Sequence, residues 1–233
     1  MISKELIIHN FPRGKVTIVG GRPAMGKSSF AASLALNLAQ HGKKSVFFSL
    51  EMSKEQLIRR MRMQVGDENY ASSGAMIIIN DNPSAKLPEI EEQLNKESAD
   101  YVFIDYLQLI HSEFEASRSE VVAHIMDKLK QWAEEFKVTI IIFSQLIREW
   151  PRGLPRPQNW GKQPSLSSLG SLFPDALNGV NIKLIHRPKY YEVIEEKDSN
   201  KIIDEKMVFI TYKGDECIVS HLNFNTETTE MTI

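Results

Sequence analysis

A single cysteine, Cys217, excludes an internal disulfide from these 233 residues and suits a reducing compartment. No apolar run approaches the roughly 18 residues of a membrane-crossing helix, and the N-terminus carries no signal-peptide core. No membrane contact is therefore expected, and the expected location is cytoplasmic. Neither sign of charge dominates: 28 Lys and Arg face 30 Asp and Glu, a net charge of −2. There is no global field to draw in a polyanion, so any such site must be local. The six histidines (His9, His41, His111, His124, His186 and His221) have no ligand spacing, and no histidine-built metal site is expected. Internal repeats and composition breaks are also missing. Residues 1–233 are therefore expected to form one domain, with 1–13 and 225–233 peripheral. The hydrophobic fraction of 42% and charged fraction of 25% are those of a globular chain with a sizeable core.

What the sequence does have is Gly21-Arg22-Pro23-Ala24-Met25-Gly26-Lys27-Ser28, which fits G-x-x-x-x-G-K-[ST] at every fixed position. Polyphosphate needs backbone N–H donors crowded together, and glycine lets the chain turn tightly enough to aim them inward. Lys27 would reach the β- and γ-phosphates, and the Ser28 hydroxyl would hold Mg²⁺. Ser29 extends the nucleotide-binding run. The flanks agree. Lys15 to Gly20 is an apolar, β-branched strand. After the motif, Phe30, Leu34 and Leu38 recur at helical spacing until Gly42. Strand, glycine turn and helix place a helix N-terminus against the anion. The sequence predicts that this chain binds a nucleoside triphosphate, ATP with Mg²⁺.

Apolar strands and amphipathic helices then alternate, which predicts an α/β fold with a mostly parallel central sheet. Ser45 to Leu50 reads as a strand, and Ser53 with Gln56 as the capping box of the helix that follows. Tyr101 to Asp105 is a strand ending in a carboxylate. Ser117 with Glu120 caps the longest helix, and Val138 to Ser144 is a nearly continuous apolar strand suited to the sheet centre. The runs Val180–Ile185, Met207–Tyr212 and Cys217–Leu222 suggest antiparallel edge strands. The polar tail after Phe224 is expected to fray.

Three strand ends carry side chains that suit one hydrolytic site, because ligands of open α/β sheets bind at the carboxyl ends of strands. Glu51 could orient and deprotonate an attacking water. Asp105 suits a carboxylate that holds Mg²⁺ through its water shell. Gln145 could donate to a γ-phosphate oxygen. A long proline-rich segment follows Gln145, carrying Arg148, Arg152, Arg156 and Lys162 together with Trp150 and Trp160. Cations interleaved with aromatics suit a nucleic-acid backbone with base stacking. An ordinary solvated loop is the alternative.

These motifs together resemble the DnaB family of replicative helicases, specifically their C-terminal motor domain. The likeness rests on the phosphate loop, Phe48-Ser49-Leu50-Glu51-Met52-Ser53, Ile104-Asp105-Tyr106-Leu107-Gln108-Leu109-Ile110 and Ser144-Gln145-Leu146, in that order. Pro164 to Leu169 and Ile185 to Tyr191 extend it, so that it covers roughly residues 13 to 225. The resemblance implies a RecA-like P-loop NTPase fold and an Mg-dependent ATP hydrolase. The implied activity is that of a helicase or translocase motor acting on single-stranded DNA as a homo-oligomeric ring of hexameric type. It implies Lys27, Ser28, Glu51, Asp105 and Gln145 in the roles above, and DNA contact from about His111–Ser119 and Arg148–Ser168.

The departures are specific. The family motor follows an N-terminal domain and linker helix, whereas this sequence starts close to its first core strand. The family's Lys-x-Arg pair, which reaches a neighbour's γ-phosphate, aligns here with Thr211 and Lys213. Lys213, the candidate trans-acting finger, keeps the charge but lacks the planar fork of arginine. The acidic stretch after the DNA loop retains only Asp175. These differences leave two other readings open: a RecA-like accessory or regulatory ATPase that does not unwind, and a binding module that uses ATP structurally.

Overall fold

In a computed structural model, residues 10–23, 26–112, 116–146, 180–186, 207–213, 216–222 and 229–232 are described, His186 and those from 207 onward by backbone alone. Among them runs a nine-stranded sheet of order β3-β2-β4-β5-β1-β6-β7-β8-β9. Its strands are β1 (Val16–Gly21), β2 (Ser45–Ser49), β3 (Ile77–Asn80), β4 (Tyr101–Asp105), β5 (Thr139–Gln145), β6 (Asn181–His186), β7 (Met207–Lys213), β8 (Glu216–Leu222) and β9 (Thr229–Thr232). The helices are α1 (Lys27–Gln40), α2 (Lys54–Val65), α3 (Asp67–Ser73), α4 (Leu87–Lys96) and α5 (Arg118–Glu135).

The central strands are apolar on both faces because both faces are covered. Ile18, Val46, Phe48, Val102, Ile104, Ile140 and Ile142 join Ile90 and Leu94 of α4 and Ile125, Leu129 and Trp132 of α5 in one buried cluster. The alternate residues Val19, Phe47, Phe103, Ile141 and Phe143 join Phe30, Leu34 and Leu38 of α1 and Leu57 and Met61 of α2 in the other. Period-two alternation along each strand thus feeds two cores, and the run reads as continuously apolar. The expected capping boxes are present. Ser53 Oγ accepts from the Gln56 amide as the Gln56 side chain accepts from the Ser53 amide, and Ser117 and Glu120 do the same at α5.

The expected antiparallel edge is present: β6 pairs antiparallel with β7 and β7 with β8, while β6 joins the central strands by running parallel to β1. Two expectations change. First, the tail expected to fray contributes β9, antiparallel to β8. Backbone pairing along an existing edge orders a Thr-rich segment that has little apolar surface of its own. Second, residues 10–13 are not peripheral. Phe11 is buried against Phe30 at a ring separation of 6.4 Å, and the Pro12 carbonyl accepts the Thr139 hydroxyl at 3.2 Å. The buried Lys183 of β6 donates to Asn10 Oδ1 at 2.7 Å and lies 5.6 Å from the Phe11 ring centre. A cation over an aromatic face fixes this strap to the sheet.

The strand order has one consequence for chemistry. The neighbours β2, β4, β5 and β1 run parallel, so their carboxyl ends form one row. That row carries Glu51, Asp105, Gln145 and the glycine loop.

Candidate active site

The phosphate loop runs from β1 into α1. Gly26 caps α1 with φ of 88°, the left-handed region that a side chain would strain, and its carbonyl accepts the Phe30 amide at 2.8 Å. Ala24 and Met25 lie outside the described residues; Gly21, Arg22, Pro23, Gly26, Lys27, Ser28 and Ser29 lie within them. Lys27 folds back along the loop, and its Nζ donates to the carbonyls of Gly21 at 3.1 Å and Arg22 at 3.3 Å. Gly21 has to be glycine for a packing reason. A Cβ there would sit 2.9 Å from Lys27 Cγ and 3.2 Å from Cδ. Burial lowers the Lys27 pKa, opposed by the charges of Asp105 and Glu51. Those two acids therefore share the ammonium's electrostatic neighbourhood.

Asp105, at the end of β4, is fully buried, and neither carboxylate oxygen has a hydrogen-bond partner among the described residues. Desolvation raises its pKa first and foremost. The Ser28 hydroxyl opposes that shift, close enough to favour the charged form though outside hydrogen-bond geometry. Glu51 adds repulsion, while Lys27 and Arg60 supply attraction. A buried carboxylate with two orphan oxygens beside a hydroxyl is a hard-oxygen donor set, which suits Mg²⁺. Glu51 itself is exposed just past β2. A carboxylate standing in solvent near the lysine is placed to meet water.

Gln145 closes β5 with an exposed side chain, while Ser144 and Leu146 on either side are buried. The Leu146 amide donates to the Gly21 carbonyl at 3.1 Å, which ties the β5 end to the phosphate loop. The structure therefore places Lys27, Ser28, Glu51, Asp105 and Gln145 along one edge of the sheet.

Two site residues escape a reading of the sequence. Arg60 of α2 directs Nη1 toward Ser29 Oγ at 3.5 Å, a long contact, and its neighbour Gln64 donates to the Ser29 carbonyl at 3.1 Å. Arg60 thus brings a cation to the start of α1. Among the charges of α2 it resembles any solvated residue, and only the packing of α2 on α1 singles it out. The second is Gln108, in the short 3-10 turn Leu107–Leu109 after β4, which bonds to Ser144 and Gln145.

The candidate DNA-binding residues Arg148, Arg152, Arg156 and Lys162 lie outside the described residues. Lys213 ends β7, where its backbone pairs with Glu216; its side chain is outside the described set. Of the first candidate DNA loop, His111, Ser112 and 116–119 are described. No group of three or more His, Cys, Asp or Glu that could hold a metal ion occurs among the described residues. No helix among them is long and apolar enough to cross a membrane.

Comparison with known proteins gives a consistent result. The family model of the DnaB-like helicase C-terminal domain matches residues 5–72 and 64–232. The probable replicative DNA helicase of Trieres chinensis is 31% identical over 233 residues, covering 86% of this chain and 49% of that protein. The replicative DNA helicase DnaC of Bacillus subtilis (strain 168) is 32% identical over 225 residues, covering 83% of this chain and 47% of that protein. The chain thus spans about half the length of the curated relatives it matches. Among solved structures, a DnaB-like replicative helicase described with its interactions with primase superposes with a TM-score of 0.69 at 22% identity, covering 98% of this chain and 57% of that one. A KaiC-like protein of Pyrococcus horikoshii OT3 gives 0.59 at 21%, covering 95% and 91%. These structural likenesses establish the fold, which is RecA-like as the resemblance implied.

Proposed function

The chain belongs to the DnaB-like helicase C-terminal domain family, and from that premise we propose that it is a motor domain that hydrolyses ATP, with Mg²⁺, to move on single-stranded DNA. The observation that carries the proposal is the buried Asp105, without a hydrogen-bond partner among the described residues, near Ser28, Lys27 and Glu51 at the carboxyl edge of the parallel strands. A structural role gives no reason to bury a carboxylate without partners. A cation-binding role does.

In this reading the loop Gly21 to Ser29 cradles the triphosphate. Lys27 exchanges its bonds to the Gly21 and Arg22 carbonyls for phosphate oxygens. Ser28 and Asp105 would hold Mg²⁺, Asp105 through water, and the ion would supply charge neutralisation at the phosphate oxygens. Glu51 accepts a proton from the attacking water and orients it toward the γ-phosphorus. Gln145 donates to a γ-phosphate oxygen, and the segment that follows it carries Arg148, Arg152, Arg156 and Lys162 to the DNA backbone. Lys213 acts in trans on the site of a neighbouring copy, which requires a homo-oligomer such as a hexameric ring. Residues 1–233 work as a single RecA-like unit in the cytoplasm.

The test is steady-state ATP hydrolysis with Mg²⁺, with and without single-stranded DNA, followed by strand separation on a forked duplex. The reading expects DNA-stimulated hydrolysis that collapses in Lys27→Ala. Hydrolysis without any DNA response would replace the motor with a RecA-like accessory ATPase.

A further inference from the structure

The β4–β5 ladder stops at the pair Ile104↔Ile142, yet β5 continues through Phe143, Ser144 and Gln145. On its other edge β5 stays paired with β1, through Gly21↔Gln145. The β4 side of the last rung is filled by a side chain. Gln108 Oε1 accepts the Gln145 amide at 3.4 Å, and Gln108 Nε2 donates to the Gln145 carbonyl at 3.2 Å and to Ser144 Oγ at 2.9 Å. In a strand, the N–H and C=O of one residue point to the same side. A primary amide offers one acceptor and two donors, so it can meet both groups and still reach a hydroxyl.

We propose that Gln108 is a positioning residue whose amide stands in for a strand peptide, adding one rung to the sheet so that Gln145 is held at the γ-phosphate. The assignment rests on the proposed role of Gln145. The geometry favours function over simple cohesion. Gln145 is exposed, so its amide could bond to water at little cost. The bond to the buried Ser144 hydroxyl contributes to cohesion, whereas the two bonds to Gln145 make sense where position matters. The rung also joins the turn after Asp105 to the end of β5, so a displacement of either segment is felt by the other.

Two measurements test this, one of them independent of activity. In the wild type, hydrogen exchange of the Gln145 amide should be slow. Gln108→Ala should speed it about ten-fold or more while Ile142 keeps its protection. Gln108→Glu, nearly the same size, keeps an oxygen that accepts the Gln145 amide and loses only the donors to the Gln145 carbonyl and Ser144, so it should speed exchange less than Gln108→Ala. Equal exchange at Gln145 in wild type and Gln108→Ala would overturn the proposal.

The second measurement is a double-mutant cycle on ATP turnover. Gln108→Ala is expected to lower kcat about ten-fold and leave the affinity for a fluorescent ATP analogue within about two-fold. In a Gln145→Ala background the same change should cost less than about two-fold, because nothing remains to be positioned. Independent losses, or a fall in affinity matching the fall in kcat, would show that Gln108 only holds the fold together. A wild type that never hydrolyses ATP would remove the proposed function, while the exchange result would still decide whether the rung exists.

Discussion

Lys27 Nζ donates to the Gly21 carbonyl at 3.1 Å, and the same oxygen accepts the Leu146 amide at 3.1 Å. One carbonyl therefore links the phosphate-loop lysine to the end of the strand that presents Gln145. The lysine lies so close over Gly21 that the loop and its cation form one packed unit.

Gly21→Ala should break that unit. The added methyl would overlap Lys27 Cγ, so relief needs a change of χ1 that carries the whole side chain away from its present course. A displaced lysine loses a charge-assisted hydrogen bond to phosphate, worth about 1.5–3 kcal/mol. ATP affinity is expected to fall about ten- to hundred-fold, measured by titration with a fluorescent analogue. An unchanged affinity would mean that Lys27 does not reach the nucleotide from this position.

Asp105→Asn should separate stability from function. Burial raises the Asp105 pKa, so the folded state holds that proton more tightly than the unfolded chain does. Its contribution to stability then declines as pH rises through the window between the unfolded and folded values. At neutral pH the neutral amide avoids that penalty. Nucleotide-free Asp105→Asn is expected to melt a few degrees higher, in line with about 1–2 kcal/mol, and this gain should vanish at low pH. The variant should also gain less than wild type from added Mg²⁺ and ATP. A melting temperature below that of wild type at pH 7 would show that the carboxylate has a partner after all.

Glu51→Gln should keep ATP binding and lower turnover by about 10²-fold or more, because the amide can still contact water but cannot take its proton. Lys27→Ala should weaken binding itself. Equilibrium binding and single-turnover hydrolysis separate the two. A Glu51→Gln variant that hydrolyses at the wild-type rate would remove the residue from the chemistry.

Replacing Arg148, Arg152 and Arg156 together by Ala should weaken single-stranded DNA binding and flatten its salt dependence. Each lost phosphate contact removes about 0.7 from the log–log slope. Fluorescence anisotropy across a salt series reads both. An unchanged slope would move DNA contact elsewhere.

The elements that build the site were readable from sequence where the information is local. An apolar run ending in an acid located β4 and Asp105, and Ser53 with Gln56 marked the start of α2. Residues whose role depends on distant partners were not readable. Gln108 meets Ser144 across 36 positions of sequence, and its identity alone says nothing about that. Arg60 reaches Ser29 only because α2 packs on α1. Phe11 looked peripheral because one aromatic in a short segment has no period to reveal the core it enters. The parallel pairing of β6 with β1 and the pairing of β9 with β8 are set by available sheet edges, which no single segment encodes.

The most direct test of the central claim is ATP hydrolysis across a range of protein concentrations, with and without single-stranded DNA. A motor whose sites are completed by a neighbouring copy predicts a specific rate that rises cooperatively with concentration and rises further with DNA. A slow rate per molecule, independent of both, would contradict it.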